Sequence, residues 1–388
     1  MTTSFSGSKE HLFQALPELA AEARTRAVEF EDNRQISVDF VAKLKQAGVY
    51  RILVAREQGG LGGSLLDWLK MVLSLSEADA STGWTCAHGA VCSALIANLA
   101  DPEFVESFFA DPQASAAWSN LPQVQVSEED DGLRISGRWS FETGCTAATY
   151  VGGMVERPRE DPSAPPRYFA CLAPIAQAQI EKTWDPIGLA GTGSHDVIFD
   201  DLLVPWNRIF EWPDGKPRNA YPWAVFTPGT WFISICAAAT HLGLARRALD
   251  EARASLTGKM DRFSGQPVLA KPVNLRALEE AEGLLFACRS GLENVMREIW
   301  ERAQSSQPLG QDLRIMVRLA TTTAVHQCEG IVRAAYDVAG ASAVRRTGVL
   351  QRLYRDASCL THHVSVNGDS FERVGRVRGG FDPLDFRI

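Results

Sequence analysis

The chain has 388 residues, a formal net charge of −8, and 45% hydrophobic against 22% charged side chains. A single core rarely grows beyond roughly 250 residues, so this length predicts two or three domains. The acidic balance speaks against a nucleic-acid partner, which needs clustered Lys and Arg, and the ordinary composition excludes disorder and fibrous repeats.

The N-terminal residues mix acids and bases where a signal peptide needs an unbroken apolar run. The eight cysteines, from Cys86 to Cys359, are scattered without a CxxC pair, which reads as reduced thiols in a cytoplasmic protein. The longest apolar run, "WFISICAAATHLGLA", passes into a charged helix short of the about 18 residues that a membrane span needs, so no membrane partner is expected.

Along the chain, Ile36, Val38, Val41 and Leu44 predict a helix stopped by Gly48. The loop "REQGGLGGS" then leads to a long apolar helical stretch over 65–99, with Gly83 and Gly89 as its weak points, and "DPEFVESFFADP" closes an all-α domain over 1–113. From about Ser115 the period becomes two. Ile135, Gly137, Trp139 and Phe141 alternate with Arg134, Ser136, Arg138 and Ser140, as a strand with one buried face requires. The turn "EEDDGL" predicts a hairpin, and "TYVGGMVE", "RYFACLAP" and "SHDVIFDDLLVP" are further strands of a β-domain over 114–215. Helical spacing returns in 216–388, with a long stripe from Leu275 to Ile299 and helices over 311–339 and 350–376, forming an antiparallel bundle.

Several chemistries lack their motifs: there is no GxGxxG after a strand, no Walker loop, no HExxH and no GxSxG. "REQGGLGGS" lies between helices and reads as a turn. In "LTHHV", His362 and His363 point about 100° apart on a helix and cannot share a metal, so no metal site is expected. A wheel over Leu350, Leu353, Ala357, Leu360, Val364 and Phe371 puts His363 on the edge of the apolar arc and His362 nearly opposite. His363 then fits either a core-edge imidazole bonded to a carbonyl or an acid–base group at a pocket edge.

Five strings, "REQGGLGGS", "ASTGWTC", "SGRWSFETGC", "GLAGTGSHDVIFDDLLVP" and "LQRLYRDASCLTHHVSVN", together resemble the acyl-CoA dehydrogenase superfamily, and more closely its flavin-dependent monooxygenase branch of phenol and hydroxyphenylacetate hydroxylase oxygenase components. The resemblance spans nearly the whole chain and implies an α+β fold. An N-terminal helical domain, a central β-barrel or sandwich and a C-terminal antiparallel helix bundle would assemble into a homotetramer. It also implies reduced flavin, FMNH2 or FADH2, supplied by a separate flavin reductase. This flavin would react with O2 to a C4a-hydroperoxide that hydroxylates an aromatic or heteroaromatic small molecule.

By the same resemblance Trp139, Phe141, Thr143, Gly144 and Cys145 line the flavin, with Thr143 standing where many relatives have a serine near the flavin N5. His363, eight residues after Arg355 of the "RD" pair, matches the catalytic histidine. Arg262, Gly340 and Ala341 match more distant flavin contacts, Arg262 across the tetramer. Trp84, His88, Cys92, Ser194, His195 and Asn367 would shape the substrate pocket. The alternative within the superfamily is an acyl-CoA dehydrogenase or an amino-sugar N-oxygenase. The dehydrogenase base is a glutamate that this sequence lacks both in "GASAVRRTGVLQRLYR" and between Lys216 and Leu249.

Overall fold

Helix α1 (Lys9–Asn33) begins where the Ser8 hydroxyl accepts the His11 N–H, and α2 (Val38–Gln46) is followed by Gly48, whose φ of 85° reverses the chain without strain. The computed structural model describes residues 7–382 except 160, 162, 164, 165, 214, 219–230 and 306. The apolar stretch expected to weaken at its glycines divides instead at Asp79, into α3 (Leu65–Ala78) and α4 (Ala80–Leu99). The Asp79 carboxylate accepts both the N–H and the hydroxyl of Thr82 and starts a new helix there. Gly89 is needed for packing, since a Cβ on it would lie 2.3 Å from the Tyr50 ring. Helix α5 (Pro102–Ala110) ends this layer.

Two antiparallel sheets follow. Strands β1 (Pro122–Glu129) and β2 (Gly132–Glu142) form the expected hairpin, and β2 also pairs with β6 (His195–Pro205), which carries β5 (Gln179–Glu181) on its far edge. The second sheet holds β3 (Tyr150–Glu156), β4 (Tyr168–Pro174) and β7 (Ile209–Glu211). Leu133, Ile135, Trp139, Val151, Cys171 and Phe199 fill a common core with Val197.

The alternation predicted for β2 holds as far as Trp139 and fails at Phe141. Trp139 faces Val197, but the next pair is Glu142 with His195, so β2 carries one extra residue, a β-bulge. Phe141 adopts a φ of 62° and is 58% exposed, while Glu142 turns into the core in its place.

The C-terminal helices are α6 (Trp231–Leu256), α7 (Pro272–Gln304), α8 (Gln311–Ala339), α9 (Val349–Thr361) and α10 (Asp369–Arg378). Helix α6 packs along α8 and also against α3 and α9, tying the bundle to the N-terminal helices. The single helix predicted over 350–376 is two, broken over 362–368. The Ser365 N–H goes to the ring Nδ1 of His363, a side chain competing with the helical carbonyl ladder. The apolar arc therefore ends at Leu360, and Val364 and Phe371, predicted to extend it, are exposed. Among the described residues no helix is long and apolar enough to cross a membrane.

Candidate active site

The indole of Trp84, on α4, joins three segments of chain. Its Nε1–H donates to Thr143 Oγ1 at 3.2 Å, and its ring lies edge-on to His363 at 5.3 Å and tilted against His88 at 4.4 Å between centroids. One turn of helix separates Trp84 from His88, so both side chains leave the same face of α4. Thr143 reaches Trp84 because the bulge redirects the end of β2. The same bulge pushes Phe141 outward, where it meets Trp184 edge-on at 5.8 Å.

From Thr143 a row of hydroxyls runs inward. Its Oγ1 is 3.0 Å from Ser194 Oγ, Ser194 is 2.8 Å from Thr192 Oγ1, and Thr192 donates to the Leu189 carbonyl at 2.8 Å. The loop bearing this row is fixed by α9. Asp356 Oδ1 accepts the Leu189 N–H at 2.6 Å, holding Leu189 at a φ of 55°, and Arg355 donates to the Ile187 carbonyl at 2.7 Å. Burial raises the Asp356 pKa to about 7, against the opposing effect of its bond from Leu189.

His363 has a defined tautomer. A backbone N–H can only donate, so the bond from Ser365 N–H at 3.2 Å makes Nδ1 an acceptor, also 2.7 Å from Ser365 Oγ, and the neutral ring carries its proton on Nε2. Burial, helped by the neighbouring Arg318 guanidinium, lowers its pKa to about 4. His88 is lower still, at about 3, through burial and the proximity of His363, and its buried Nε2 has no hydrogen-bond partner among the described residues. Both imidazoles are uncharged at neutral pH.

Two cavities flank α4. One is lined by Tyr50, Thr85, Gly89, Thr143, Gly144 and Thr192. The other lies beyond His88 and is walled by Cys92, Leu95, Trp118, Trp212, Phe232 and Cys236 among others. No carboxylate lines either one among the described residues.

Residues 9–111 match the acyl-CoA dehydrogenase N-terminal domain and residues 235–368 its C-terminal domain. The chain is 30% identical over 362 residues to indole-3-acetate monooxygenase of Pseudomonas putida, covering 93% of this chain and 92% of that protein. The chain belongs to the acyl-CoA dehydrogenase superfamily, in its flavin-dependent monooxygenase branch. It is also 27% identical to the oxygenase component of an FADH(2)-dependent resorcinol hydroxylase from a Rhizobium species, over 93% of this chain and 92% of that one. The crystal structure of the HsaA monooxygenase from Mycobacterium tuberculosis has the same fold, with a TM-score of 0.88 at 22% identity, covering 98% of this chain and 100% of that one.

Within this superfamily fold the other residues singled out from the sequence fall into separate groups. Trp139 was expected to line the flavin, but it is fully buried between the sheets, its indole N–H donating to the Met154 carbonyl at 2.9 Å. Cys145 is buried too, its thiol directed to the Gly193 carbonyl at 3.4 Å. Both support the bulge from behind. His195 was expected in the substrate pocket, but its buried ring accepts the Trp184 N–H at Nδ1 and so holds the Trp184 loop.

Asn367 lies one turn after His363, donating its N–H to the His363 carbonyl at 3.0 Å, with its side-chain Oδ1 buried and without a partner among the described residues. His362 caps the end of α9 and is exposed. Arg262, Gly340 and Ala341 are exposed at the far end of the bundle, where Lys259 donates to Ser342. Counted along α8 from Arg318, Gly340 is roughly 30 Å from the neighbourhood of His363.

Three residues of the site went unnoticed in the sequence. Trp184 gave no signal. Thr192 stands in the string "GTGSHDV", where Ser194 and His195 carry the expectation, and Asp356 is the acid of the "RD" pair whose arginine lies eight residues before His363.

Proposed function

We propose that this chain is the oxygenase component of a two-component flavin monooxygenase, taking reduced FMN or FAD from a separate reductase and hydroxylating a compact aromatic or heteroaromatic molecule with O2. The observation that carries this reading is the convergence on Trp84 of a hydroxyl, Thr143, and two uncharged imidazoles, His363 and His88. The residues present suit a flavin ring. Phe141 and Trp184 offer an exposed aromatic edge, Thr143 offers a hydroxyl beside it, and His363 offers an N–H. The bound flavin would supply the electrons and the oxygen chemistry. The protein holds the ring, keeps bulk water out of a site walled by Trp, Phe and Leu, and stabilises charge on the substrate.

His363 suits the last task. With Nδ1 already accepting, its Nε2–H is a donor to a phenolate-like or oxyanionic oxygen, and not a base in its resting tautomer. A thioester dehydrogenase would want a carboxylate at this place, and neither cavity is lined by one among the described residues.

The exposed Arg262 and Gly340–Ala341 segments lie too far along α8 to serve the same protomer's ring, so they are assigned to a neighbouring subunit's flavin in a homotetramer. Nearby apolar residues support this, Phe263 at 97% exposure above all. Eight free cysteines suit a reducing cytoplasm.

The role of His363 is tested by His363→Ala. The variant should bind reduced flavin with an affinity close to that of the wild type, while hydroxylation falls on the order of 100-fold. Undiminished product formation with the same flavin affinity would remove His363 from the mechanism.

A further inference from the structure

The hydrogen-bond row behind Thr143 has a fixed direction, and from it we infer that Thr192 and Ser194 set this site's preference for reduced over oxidised flavin by holding the Thr143 hydroxyl as an acceptor. The inference rests on the flavin reading above, with Thr143 beside the N5 edge of the ring.

The direction follows by elimination. The Leu189 carbonyl can only accept, so the proton on Thr192 Oγ1 is committed to it at 2.8 Å. The 2.8 Å contact between Thr192 and Ser194 needs a proton between its oxygens, which must then come from Ser194. The 3.0 Å contact between Ser194 and Thr143 needs one as well, and with the Ser194 proton already used, Thr143 must supply it. Trp84 Nε1–H occupies one lone pair of Thr143 from the other side. What remains on Thr143 Oγ1 is a single free lone pair.

Thr192 and Ser194 are buried, so water does not compete to turn the row around. Its origin is also immobilised: Leu189 is held in the left-handed region by Asp356, and its carbonyl accepts the Trp184 indole N–H besides Thr192.

Reduced flavin carries a hydrogen on N5, whereas oxidised flavin presents a bare nitrogen lone pair there. A hydroxyl locked as an acceptor binds the first and opposes the second. A freely rotating hydroxyl would serve both. The row thus converts a residue that could donate or accept into one that recognises a single redox state. This matters to an oxygenase that must take up reduced flavin and release the oxidised form.

The test is binding alone. Dissociation constants of the full-length protein are measured for oxidised FMN and FAD, and anaerobically for the same flavins reduced with dithionite. Wild type should favour reduced flavin. Ser194→Ala and Thr192→Val each free the Thr143 proton, and each should tighten oxidised flavin so that the preference shrinks roughly fivefold or more, the worth of about one hydrogen bond. Thr192→Ser preserves the row and should preserve the ratio. An unchanged ratio in Ser194→Ala and Thr192→Val, or an equal loss in Thr192→Ser, overturns the inference. Failure of the wild type to bind either redox state would instead overturn the flavin assignment on which it rests.

Discussion

His363 sits with one ring nitrogen occupied by Ser365 and the other free to donate, and burial beside Arg318 keeps it uncharged. Because its pKa lies at about 4, lowering the pH from 8 to 5 leaves its state unchanged. The pH profile of kcat/KM should show no acid limb near 6.5 assignable to this residue. An inflection there that disappears in His363→Asn would contradict the assignment. The sequence made His363 and Thr143 visible, through the "RD" spacing and the "FETG" string. It could not show which atoms of either are already engaged, because the partners come from Ser365, Trp84 and Ser194, the last two remote in the chain. Phe141 illustrates the same limit. Period-two alternation predicted it inward with Trp139, and one inserted residue reversed it.

The elements matter chiefly through the clamp between α9 and the loop over 187–193. Asp356 holds its proton up to about pH 7 in the folded protein, whereas the unfolded chain releases it near the ordinary 3.8. Between those values the folded state carries the extra proton, so this group's contribution to stability falls as the pH rises. Asparagine does not titrate. Asp356→Asn should therefore gain stability relative to wild type between pH 4 and 8, on the order of 2–4 kcal/mol, measured as the difference in unfolding free energy by urea denaturation. A difference that is flat with pH would show that Asp356 is ionised in the folded protein. Helix boundaries were legible where capping residues set them, as at Gly48. They were misread at Asp79 and His362, where one side chain decided the break while the hydrophobic period ran on through it.

At the scale of the molecule, the helices, sheet, helices order was legible because each change of hydrophobic period is long. The cavity beyond His88 was not, since α4, α6 and residues near both ends of the β-domain contribute to it. Its wall among the described residues is uncharged. A substrate carboxylate placed there would go unpaired at a cost of several kcal/mol. Indole or a simple phenol should accordingly exceed indole-3-acetate at least tenfold in kcat/KM, and equal turnover of the acid would require a cation not found in this wall among the described residues. The reaction proposed for this site is oxygen transfer by reduced flavin. Its most direct measurement is product analysis by mass spectrometry after supplying the protein with a flavin reductase, NADH, flavin and 18O2 in the presence of indole. A hydroxylated product carrying one 18O atom is expected. An unlabelled substrate, together with protein-bound oxidised flavin that bleaches on anaerobic addition of an acyl-CoA, would contradict it.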